Sequence, residues 1–86
     1  MEKLKALTIM TDKKIQDWLR RVSASVEIKV LPTALLGVND KIKDCVYRNM
    51  SVNAKTAVQK YVQQLSAANI AESEILDSIL KLENLI

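Results

Sequence analysis

A chain of 86 residues with one Gly, one Pro and no Phe has material for one hydrophobic core, and its Leu, Ile, Val, Ala, Lys and Gln favour helices over sheets, whose hairpins need Gly and Asn-Gly turns. The absence of His and the single Cys remove the commonest general base and metal ligand and exclude an intrachain disulfide or a cysteine-built zinc site. A formal net charge of +3 is too modest for the dense basic stripe of a nucleic-acid binder.

One all-α domain over residues 1–86 is the expectation: a compact bundle or superhelical array of about six short helices joined by loops of two to five residues. The first helix, over 2–9, turns Leu4, Leu7 and Ile9 inward. Thr11 caps the second through its hydroxyl, with Asp12 favoured in the first turn by the helix dipole. Ile15, Trp18, Leu19 and Val22 then form one apolar stripe, while Lys13, Lys14, Asp17, Arg20 and Arg21 face water. Pro32 belongs at a helix start, which places a third helix over 31–36, and Gly37 ends it as the residue that tolerates the left-handed conformation.

Asn39 caps the fourth helix, whose inward residues are Ile42, Cys45, Val46 and Met50. Cys45 reads as a buried thiol acting as a small hydrophobe. Ser51 caps the fifth, where Ala54, Ala57, Val58, Tyr61, Val62 and Leu65 form the stripe. The corner Asn49-Met50-Ser51 turns within three residues because Met50 plugs the core and Ser51 satisfies amides at the new helix start. Asn69 with Glu72 resembles a capping box that opens the sixth helix, whose buried face is Ile75, Leu76, Ile79, Leu80, Leu82 and Ile86.

No glycine-rich phosphate loop, nucleophile elbow or metal-ligand spacing occurs. Asp12, Asp17, Asp40 and Asp44 fall in first turns or on solvated faces, where capping and solubility explain them. The expectation is therefore no catalytic residue, no metal, no cofactor and no small-molecule substrate. Trp18, Tyr47 and Tyr61 are too scattered to stack bases. The N-terminal residues lack the pattern of a secretory signal, and "VLPTALLGV" (30–38) is too short to span a bilayer, so a cytoplasmic interaction module is expected.

The runs "TDKKIQDWLRRV" (11–22), "ALLG" (34–37) and "YRNMSVNA" (47–54) resemble the C-terminal six-helix subdomain of the flagellar motor switch protein FliG. That family opens its second helix with Asp-Asp-Arg-x-Ile-Gln, closes its third with Ala-Leu-Lys-Gly and starts its torque helix with Asn-Met-Ser. The resemblance spans almost the whole chain and implies an armadillo-like helical fold without catalysis. It also implies a place in motility and chemotaxis at the cytoplasmic face of the flagellar basal body, with switch or stator proteins as partners.

In the family, charged side chains on the fifth helix and its neighbours meet the stator. Those positions fall here on Leu36, Asn53, the pair Lys60 and Tyr61, and Asn69, and every one departs from the family's charge. The family's Met-Phe-x-Phe hinge falls on Met1 to Leu4, which keeps only the Met and an apolar fourth residue. Between Gln16 and Gly37 the chain also carries a four-residue excess. The resemblance thus implies a retained scaffold with an altered stator face, its tentative partner interface being Asn53, Lys60, Tyr61 and Gln64. Because relatives build rings, self-association also follows from the resemblance. Two other classes stand as alternatives: a regulatory helical domain with the related superstructure of the cytosolic part of some magnesium transporters, and a small basic domain on nucleic acid. The first should show acid clusters for cations, whereas Glu72, Glu74 and Asp77 are explained by helix-start electrostatics.

Overall fold

The short apolar segment Val30–Leu35 organises the fold, because all six of its residues are buried. A helix that is apolar on every side has to be enclosed by its neighbours. In the computed structural model, which describes residues 3–86, this helix is α2. Around it lie a 3₁₀ helix, Lys3–Thr8, and the helices α1 (Asp12–Ser25), α3 (Asp40–Arg48), α4 (Val52–Ala67) and α5 (Glu72–Glu83). No strand occurs among the described residues, so the fold is all-α. The radius of gyration, 11.8 Å, equals the value of about 12 Å for a compact chain of this length.

Trp18, Leu7, Ile15, Leu35, Ile79 and Leu82 are the large side chains enclosed most completely. Each contributes about 1.5–3 kcal/mol by leaving water. The Trp18 indole N–H donates to the Leu82 carbonyl at 3.2 Å, and Arg21 donates to the Leu85 carbonyl at 3.1 Å. Both bonds tie α1 to the last turn of α5 and the residues just after it, where carbonyls lack the full set of intrahelical donors. Glu83, buried near the same end, accepts from the Leu4 amide at 3.1 Å and ties the 3₁₀ helix to α5. No buried side-chain nitrogen or oxygen among the described residues lacks a hydrogen-bond partner.

Three caps stand where the sequence places them. Thr11 accepts from the Lys14 amide at 3.3 Å, Asn39 from Ile42 at 3.0 Å and Ser51 from Ala54 at 3.2 Å. Cys45 is buried, as expected.

Several expectations are corrected. The first segment is a 3₁₀ helix, whose three-residue turn aligns Leu4 with Leu7 and leaves Ile9 87% exposed; Met1 and Glu2, which the expected helix and hinge include, lie outside the described residues. Helix α2 starts one residue early, with Pro32 third, where a missing N–H still costs no helical bond. Asn69 does not cap α5. It adopts φ 54° after the last turn of α4, the left-handed geometry of a helix end, and Ala71 takes the N-cap without a side-chain bond. Ala57 is exposed and the rest of its stripe is only half-buried, because α4 lies on the periphery. Leu76, Leu80 and Ile86 are likewise exposed, at 42%, 55% and 42%. The face of α5 that meets α2 is narrower than its apolar content.

Gly37 departs from expectation in its reason. Its φ is not positive. A Cβ there would lie 2.6 Å from Cγ2 of Ile75 and 3.2 Å from Cδ1 of Ile79, so the glycine permits α5 to approach the end of α2. Gly37→Ala is expected to cost about 1–3 kcal/mol in urea unfolding, because the β-branched Ile75 cannot swing its Cγ2 aside freely. Adding Ile75→Leu, which removes that methyl, should recover part of the loss; no recovery would show that the alanine acts elsewhere.

Candidate protein interface

The corner between α3 and α4 is built around Asn49. Its side-chain amide donates to the Cys45 carbonyl at 2.8 Å, which satisfies an acceptor in the last turn of α3. The same amide lies 3.3 Å from Oδ1 of Asp12, and its carbonyl oxygen accepts from Gln16 at 3.2 Å. Arg48 adds two bonds to Oδ1 of Asp12, at 3.0 Å from its terminal nitrogen and 3.3 Å from Nε. Asp12 and Gln16 stand one turn apart on α1. Two consecutive residues of the corner therefore grip one face of that helix. The hydrogen bond from Arg48, followed by that from Asn49, holds the Asp12 carboxyl below the usual Asp value of 3.8.

From this corner α4 runs outward, and none of its residues is buried. It touches the rest of the molecule through a half-buried row that includes Val58 and Val62, against α2. Of the residues singled out from the sequence, Asn53, Lys60 and Gln64 are exposed and share one face, at intervals of seven and four. Tyr61 is half-buried and belongs to the inner row. Leu36 is half-buried as the C-cap of α2. Asn69 is exposed, and its left-handed backbone gives a local reason for Asn at that position. The six positions thus do not behave as one surface.

Beside the corner lies an open groove of about 590 Å³. Gln16, Leu19, Arg20 and Ser23 of α1 form one wall, and Asn49, Met50 and Ala54 form the other. Met50, expected in the core, is half-buried: it packs against the core and also lines this groove. No carboxylate, thiol or aromatic group lines it. Such walls can seat a side chain or a short segment; they hold no acid or base to activate one. The sequence gives no sign of the groove, since its walls lie about thirty residues apart in the chain.

Among families, the model described as the FliG C-terminal domain matches residues 1–85. The chain belongs to this family. Comparison with curated proteins and with solved structures returned no match. Membership accords with the all-helical fold and with a domain that serves a switch structurally. Of the residues in the runs that carry the resemblance, Asp12, Gln16, Asn49 and Ser51 clamp and cap the corner. No helix among the described residues is long and apolar enough to cross a membrane.

Asn49→Ala should destabilise the fold by about 1–2 kcal/mol in urea unfolding, because it removes the side-chain donor to Cys45 and loosens the grip on α1. Asp12 provides a second check. Its folded carboxyl is more acidic than its unfolded one, so the clamp's contribution is fully present above the unfolded value and is lost as pH falls through the lowered one. Carbon NMR titration should find Asp12 below 3.8 in the natural chain and moved up in Arg48→Gln. An Asp12 titration unaffected by Arg48→Gln would remove the ion pair from the account.

Proposed function

We propose that residues 1–86 act as one non-catalytic protein-interaction unit of the flagellar motor switch. In this reading it works on the cytoplasmic side of the basal body and meets a switch or stator protein through the outer face of α4. The observation that carries this reading is that a sixteen-residue helix is launched from a fixed corner with no residue buried. A helix held by one half-buried row and a capped start offers most of its surface to a partner.

The chemistry of that face is its own. From Ser51 to Ala71 the chain carries Lys55 and Lys60 and no acid. Exposed charges contribute little to fold stability but set partner choice and association rate. A partner suited to Arg and paired acids at the family positions would find Asn53, Lys60 and Tyr61 instead, so the stator-type contact has changed its charge code or its partner. An ordinary solvated helix face accounts for any one of Asn53, Lys60 and Gln64 taken singly. Their alignment on the unburied side of α4, within this family, favours the interface.

A pull-down from lysate of the source organism, with the domain as bait, tests the reading. Flagellar switch or stator proteins are expected with the natural domain and absent with a variant carrying Asn53→Asp, Lys60→Asp and Gln64→Asp. If neither bait recovers a flagellar component, the motor role fails and family membership remains a statement about the fold.

A further inference from the structure

We propose that the groove between α1 and the α3–α4 corner docks an acidic amphipathic helix of a protein partner. This surface is separate from the outer face of α4 and does not depend on the motor role. The α1 wall extends from Gln16 to Ala24, which at 1.5 Å per residue is about 12 Å, the length of a helix of two to three turns. Leu19 and Met50 are half-buried on facing walls, and the small Ala54 beside Met50 leaves room between them. The thioether of Met50 adapts to the shape of an incoming side chain. Gln16, Ser23 and Asn49 supply polar edges that orient a helix without excluding it.

Charge selects the partner. Helix α1 carries Lys13, Lys14, Arg20 and Arg21 against Asp12 and Asp17, and residues 48–67 carry Arg48, Lys55 and Lys60 with no acid. The elements forming the two walls thus hold a net +5 in a chain of net +3. The ion pairs of Asp12 with Arg48 at 3.0 Å and of Asp17 with Arg20 at 2.9 Å each offset one cation by one acid, so the surplus positive field is carried by Lys13, Lys14, Arg21, Lys55 and Lys60. Lys14 and Arg21 line a different surface of α1, beside Ala6, Met10 and Ile86, so the charge that bears most directly on the groove is Arg20, which lines it with no carboxylate in that lining. Such a field attracts carboxylates and rejects a basic segment. Nucleic acid is the less fitting polyanion, since no aromatic group lines the groove and the tryptophan is enclosed in the core.

A displayed library of three-turn helices, randomised at outward positions on a fixed helical scaffold and selected against the whole chain, tests the proposal. Enriched clones should carry Asp or Glu flanking an apolar pair four residues apart. Their affinity should fall about fivefold in Arg20→Glu. It should vanish in Ser23→Trp, which fills the groove from an exposed position, and persist in Gln64→Trp, which adds bulk to the outer face of α4. Amide NMR spectra of the variants confirm that each is folded. The proposal is overturned by an absence of enrichment, by clones without acidic bias, by binding that survives Ser23→Trp, or by loss of binding in Gln64→Trp. It is equally overturned if a duplex DNA 20-mer shifts the amides of residues 16–24 and 49–54 and the acidic clones do not.

Discussion

The contact between Asn49 and α1 sets the geometry on which the remaining surfaces depend. One amide side chain closes the end of α3 through Cys45 and holds α1 through Asp12 and Gln16. Two residues later Ser51 caps α4. Each bond taken singly contributes little, since most of them are exposed to water. The bonds to Cys45, Asp12 and Gln16 share the Asn49 side chain, so loosening one disturbs the other two. The corner can turn abruptly because few backbone groups are left without a partner. An abrupt turn is also what sends α4 along the outside of the molecule instead of into its core.

This arrangement separates what the fold requires from what a partner reads. Asp12, Gln16, Asn49 and Ser51 serve the corner whatever the domain binds, and they fall within the runs through which the chain resembles its family. Asn53, Lys60 and Gln64 satisfy no cap and fill no core, so the fold places little restraint on their identity. A chain can keep the first set and exchange the second while retaining the same helices. Family membership therefore bears strongly on architecture and weakly on the chemistry of the contact.

Features governed by short-range physics were legible in the sequence. Thr11, Asn39 and Ser51 are caps because the acceptor and the amides it serves are three residues apart. Features set by neighbours distant in the chain were not. Asn69 suits either a helix start or a left-handed helix end, and the position of α5 decides in favour of the second. Gly37 has two uses as well, conformational freedom or close approach, and only the place of Ile75 shows which applies. Leu76 and Leu80 continue the apolar pattern of α5 yet face outward, because the width of a buried stripe depends on how many elements cover it. The grip of Asn49 on Asp12 spans 37 residues, and no periodicity reports a pairing at that distance.

The groove and the launch of α4 share residues, which links the two surfaces physically. Gln16 and Asn49 line the groove and also form the bond that fixes α1 against the corner. Ala54 lines it one turn into α4, at the amide that Ser51 caps. A helix seated there meets the clamp itself. It can alter the direction of α4 only to the extent that its contacts differ between a closed and an opened Gln16–Asn49 bond.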